Sequence, residues 1–100
     1  MKGVIKEIKD ERKRQEKIEE FDYYHDEQWE HFELAAAASC YAGHASISSE
    51  ARKENVGNTP DNWPWGPQWW KPSNRRRDLV KAAALIVAEI ERIDAQEVPG

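Results

Sequence analysis

Residues 75–94, RRRDLVKAAALIVAEIERID, decide how this chain is read. Leu79, Ala83, Ile86, Ile90 and Ile93 recur at helical spacing, and Val80, Ala84 and Val87 widen the apolar face. Ser73 or Asn74 stands where a side-chain cap belongs. The segment reads as an amphipathic α-helix that turns the Leu79 to Ile93 stripe toward a core, with a frayed tail from Gln96 to Gly100.

Working outward, residues 44–74 are irregular. Ser48 or Ser49 is placed to cap a short helix over 50–54, and Gly57 to end it. Beyond it come Pro60, Pro64, Pro67 and Pro72, interleaved with Trp63, Trp65, Trp69 and Trp70. So long a segment with little regular structure is commonly a lid or a binding loop. Its indoles need a dry surface, which argues against disorder. Residues 26–42 read as a second helix stopped by a left-handed Gly43. Its alanine-rich second half invites close approach of another helix, and Trp29, Phe32, Ala36, Ala37, Cys40 and Tyr41 form its expected buried set. Residues 4–20 read as a first helix of strong helix formers with a short apolar stripe of Val4, Ile5 and Ile8. Phe21 to Tyr24 read as a turn between the two.

The expected architecture is all-α. It is a single domain, a small bundle of three principal helices under a cover rich in Trp and Pro, with a hairpin of the second and last helices at its centre. One hundred residues give a marginal core, so association into a homo-oligomer is expected. The net charge of −4 argues against general binding to a nucleic-acid backbone. A single cysteine excludes an internal disulfide and fits a reducing compartment. No apolar run is long enough to span a membrane, and residues 1–10 lack the apolar stretch of a secretory signal. The host-cell cytoplasm is the expected location.

Arg75, Arg76 and Arg77 crowd the positive end of a helix dipole, where cations are disfavoured by about 0.3–1 kcal/mol each. One reading is an anion site built from helix N–H groups and guanidiniums. The other is a solvated turn whose arginines pair with acids of the first helix. The indoles next door divide the same way. They either stack on a nucleobase beside the arginines or roof the helical core. His25 beside Asp26 reads as an orienting pair or a helix cap. Asp26, Glu30 and Glu33 share a helix face, and Glu91 and Asp94 lie one turn apart. Such carboxylates on facing helices suit Mg²⁺, yet 19 acidic residues produce these spacings on any solvated face. Glu33 and Glu89 sit amid apolar residues, where an unpaired carboxylate is costly. His25, His31 and His44 make no zinc pattern, and Cys40 reads as a small buried hydrophobe.

The blocks ERKRQ (11–15), HDE (25–27), ELAAAASCYA (33–42), WPW (63–65) with WWKP (69–72), and RDLVKA (77–82) with EIER (89–92) resemble a family of small helical proteins of bacteriophages and prophages. Members of that family read His-Asp-Asp-x-His-x-x-Gly-Glu-Leu across the second helix. This chain carries Glu27, Trp29 and Phe32 at three of those places. A fainter similarity runs to the all-α MazG-like nucleoside triphosphate pyrophosphohydrolases. It implies metal-ligand roles for Glu30, Glu33, Glu91 and Asp94. The phage setting implies a sponge that sequesters a signalling nucleotide of host immunity.

Three functions follow as expectations. The first is a cofactor-free module that binds a small nucleotide through Trp63, Trp65, Trp69, Trp70, Arg75, Arg76 and Arg77, with His25 and Asp26 nearby. The second is a Mg²⁺-dependent pyrophosphohydrolase. The third is an inhibitor that docks on a host protein through an exposed aromatic patch.

Overall fold

The structure, a computed structural model, describes residues 3–18, 32–55 and 57–97. Among them are four α-helices, α1 (Val4–Ile18), α2 (Glu33–Ala45), α3 (Ser49–Glu54) and α4 (Arg75–Glu97), with one 3₁₀ turn (Pro67–Trp69) and no strand. The fold is all-α. The expected turn at Phe21 to Tyr24, the start of the second helix at 26, and His25, Asp26, Trp29, Glu30 and His31 lie outside the described residues.

The central element is α4, which packs against both α1 and α2. Arg75 Nε donates to the Ala45 carbonyl (2.7 Å), and Lys81 Nζ lies 5.5 Å from the centre of the Tyr41 ring. The later residue of α2 thus meets the earlier residue of α4, and the pair forms an antiparallel hairpin. Small side chains hold it close. Ala37, Ala38, Cys40, Tyr41 and Ala45 of α2 are buried, as are Ala82, Ala84, Leu85 and Ala88 of α4.

That packing turns α4 differently from the expectation. Val80 and Ala84, expected on the apolar face, are buried together with Ala82, Leu85 and Ala88, whereas Leu79, Ile86, Val87, Ile90 and Ile93 are exposed. The alanine face of α2 selects the alanine-lined side of α4, because branched side chains in the seam would hold the two backbones apart. Phe32, expected to be buried, is 76% exposed.

Ser48 caps α3, its Oγ accepting from the Ala51 N–H (3.1 Å), and Gly57 follows at φ +88°. Asn74 caps α4, its Oδ1 accepting from the Arg77 N–H (2.8 Å). However, α2 runs through Gly43, which does not adopt a positive φ, and closes where the Ser46 N–H donates to the Gly43 carbonyl (3.0 Å). Gly43 merely tolerates the helical conformation that Ala42 and His44 impose on either side. The last helix continues to Glu97, past the expected end at Asp94.

Few apolar groups serve α1, so it docks through polar ones. Glu11 and Gln15 are both buried against α4. Glu11 accepts two bonds from Arg14 (2.9 and 2.8 Å), one from Gln15 Nε2 (3.0 Å) and one from Arg77 Nη2. Farther along, Arg12 pairs with Glu91 (2.9 Å).

Candidate functional site

The irregular segment between α3 and α4 closes over the hairpin with its aromatic rings. Trp63 and Trp70 belong to the core, and Trp65 and Trp69 pack half-buried against it. Tyr41 is the hub. Its ring lies 5.6 Å from Trp63 at 89° and 4.7 Å from Trp70 at 33°, and Trp63 and Trp70 are 5.0 Å apart. Rings in such offset and edge-on pairs gain about 0.5–1.5 kcal/mol each beyond their buried area. The Tyr41 hydroxyl accepts from the Lys71 N–H (3.2 Å), and Trp63 Nε1 donates to the Gly66 carbonyl (3.1 Å). Trp70 Nε1, also buried, has no hydrogen-bond partner among the described residues. Leaving such a donor unmade costs about 1–3 kcal/mol.

The three arginines at the start of α4 diverge. Arg75 lies on the carbonyl of Ala45. Arg76 pairs with Glu7 (2.8 Å), and Arg77 pairs with Glu11 and more distantly with Glu7 (3.8 Å). Burial pushes the Glu11 carboxyl up, but the hydrogen bond and charge of Arg14 and the charge of Arg77 outweigh it. The group sits below the usual carboxylate range. The hydrogen bond from Arg76 lowers Glu7. The helix start itself already holds an anion. Asp78, wholly buried, accepts from the Ser73 N–H (2.7 Å) and pairs with Arg52 (3.0 Å).

Two hollows flank residues 71–73. The larger, about 580 Å³, has Arg52, Lys53, Lys71 and Arg75 around it, with Trp70, Pro72 and His44 as its less polar walls. The smaller, about 290 Å³, is lined by Arg14, Gln15, Tyr41, Arg77, Lys81 and again Lys71. No Asp or Glu among the described residues lines either one. Around the larger hollow, Lys53, Lys71 and Arg75 have no carboxylate partner among the described residues. Lys71 instead lies over the Trp69 ring at 5.2 Å. Arg52 is fixed by bonds to the His44 and Ser73 carbonyls (2.8 and 2.9 Å) and to Asp78. Burial lowers the His44 pKa and the Arg52 charge lowers it further, against the opposing charge of Asp78.

The structure thus brings Trp70 and Arg75 to one hollow and Arg77 to the other. Trp63, Trp65, Trp69 and Arg76 line neither. Sequence reasoning did not single out Lys53, Lys71, Arg52 or His44. Isolated basic residues carry little signal in a chain with 15 of them.

A third hollow, about 500 Å³, is lined by Cys40, His44, Asp61, Asn62 and a mixture of polar and apolar neighbours that includes Ile47 and Pro60. Cys40 Sγ donates to Asn62 Oδ1 (3.2 Å), and burial pushes its pKa up, so it remains a thiol. Of the carboxylates considered for Mg²⁺, Glu33 accepts from the Phe32 N–H (3.1 Å), Glu91 pairs with Arg12, and Glu30 lies outside the described residues. With Asp94 included, no three His, Cys, Asp or Glu side chains among the described residues gather as metal ligands. Glu89 pairs with Arg92 (2.7 Å), which meets the cost of placing a carboxylate among apolar neighbours. No helix among the described residues is long and apolar enough to cross a membrane.

The chain matches no family model, no curated protein and no solved structure.

Proposed function

We propose that this chain is a non-catalytic binding module for a small phosphorylated ligand, a nucleotide by the chemistry of its walls, received in the hollow between α3 and the start of α4. One observation carries the reading. Lys53, Lys71 and Arg75 surround a cavity of about 580 Å³ with no acid among its described lining, in a chain of net charge −4. Cations left without acids in an acidic protein raise the local concentration of anions and hold phosphate oxygens. The volume falls in the range of small-molecule sites, about 300–1,000 Å³.

Trp70, Pro72 and His44 supply the surface for a base. Because Trp70 is itself only 8% exposed, the base meets an edge of this wall and is not sandwiched between free indoles. The resemblance to bacteriophage proteins favours a signalling nucleotide of the host as ligand, and sequestration as the result.

Calorimetric titration with a panel of linear and cyclic nucleotides, with inorganic phosphate as control, tests the proposal. Binding without added metal, weakening as salt rises, is expected. No heat with any nucleotide in low salt would remove the reading.

A further inference from the structure

The outer face of α4 packs against no other helix among the described residues. Leu79, Ala83, Ile86, Ile90 and Ile93 follow at intervals of four, three, four and three residues, the spacing of a coiled-coil seam. Leu79, Ile86, Ile90 and Ile93 are 46%, 48%, 52% and 37% exposed. A row of large aliphatic side chains this long is uncommon on a protein that stays alone. We propose that this stripe is the surface on which two copies of the chain associate, with their α4 helices antiparallel.

The orientation comes from charge. The stripe starts beside Arg75, Arg76 and Arg77, with the Arg76 side chain 63% exposed, and ends between Glu91 and the exposed Asp94. Glu7 and Glu11 already pair with Arg76 and Arg77, and Arg12 with Glu91, but Arg75 has no carboxylate partner among the described residues and Asp94 is exposed, so antiparallel pairing still sets a cationic end beside an acidic one and opposes the helix dipoles. Parallel pairing stacks like charges at both ends. A second copy also presents a stripe of equal length and spacing, so the seam is complementary to itself, as a two-fold interface requires. None of the stripe residues lines either cationic hollow, so the inference stands apart from the ligand reading.

Sedimentation equilibrium of the full chain tests it. A dimer is expected, and Ile86→Asp should weaken dimerisation at least a hundredfold while circular dichroism keeps its helical signal. For orientation, and in case Ile86→Asp fails to fold, Leu79→Cys and Ile93→Cys are made separately in a Cys40→Ala background. Mixed chains should form the disulfide between unlike variants in preference to either like pair. A monomer at all soluble concentrations would overturn the proposal, including the case in which residues 19–31 of the same chain cover the stripe. Crosslinking of like variants alone would also overturn it.

Discussion

Arg52 and Asp78 are joined at 3.0 Å between Nη2 and Oδ2, with the aspartate side chain wholly out of water and the arginine nearly so. The same guanidinium donates to the carbonyls of His44 and Ser73, and the same carboxylate accepts from the Ser73 N–H. One pair of side chains thereby ties the end of α2, the short α3 and the first turn of α4 into one wall of the larger hollow. A six-residue helix with no buried residue of its own has little else to hold it.

Breaking a buried pair from one side leaves the other charge without a partner, at about 3–5 kcal/mol. Arg52→Ala and Asp78→Ala should each lower the unfolding free energy obtained from urea titration by an amount in that range. The double variant should cost clearly less than the sum of the two, since the groups act as a unit. Additive losses would show that the pair does not couple.

Acid should destabilise the chain in a way that identifies Glu11. Its folded pKa lies below its unfolded value, so its contribution is complete above the unfolded value and is lost as pH falls through the folded one. The lowered pKa of His44 works in the same direction at milder acidity, because the unfolded chain takes up the proton first. Thermal melts of Glu11→Gln against pH should show lower stability at neutrality, where Arg14 and Arg77 lose their partner. They should also show a flatter decline through the carboxylate range. An acid limb identical to that of the parent chain would contradict this role.

Core packing should separate neighbouring residues of α4. Leu85 is fully buried, so Leu85→Ala should cost about 2–5 kcal/mol. At the wholly buried Ala84, Ala84→Leu should cost about 1–3 kcal/mol by overpacking a helix contact made for alanine. Chemical denaturation of each variant checks both values. A neutral Ala84→Leu would mean that α4 does not sit as closely as described.

Much of this architecture was legible in the sequence, and the failures have physical causes. The Ser48 cap, the alanine-rich α2, the buried Cys40 and the existence of α4 depend on local chemistry, which sequence carries directly. The face that α4 buries depends on what α2 presents. The stripe of Leu79, Ile86, Ile90 and Ile93 and the neighbouring side with Ala82, Leu85 and Ala88 both keep helical spacing, with Val80 and Ala84 between them, so periodicity alone does not choose the buried one. The arginines at 75–77 were singled out for their conflict with the helix dipole. What became of them was decided by Glu7 and Glu11, more than sixty residues away in the chain. The hollow beside them depends on the path of residues 55–74, which has no period to read.

The ligand reading makes different demands on these cations. Lys53→Ala, Lys71→Ala and Arg75→Ala should each weaken nucleotide binding about tenfold or more, consistent with charged hydrogen bonds of roughly 1.5–3 kcal/mol. Arg76→Ala, which breaks only the exposed pair with Glu7, should leave affinity unchanged. Titration of the four variants, each shown by its melting profile to be folded, compares them directly. Equal losses in all four would place the ligand at the helix start and not in the hollow.

The most direct measurement is native mass spectrometry of the full chain purified from cells, run alongside the Lys53→Ala/Arg75→Ala double variant. A phosphorylated small molecule should travel with the parent chain at a fixed stoichiometry and be missing from the variant. A parent chain that carries no such molecule, and takes up none when nucleotides are added back, would contradict the account.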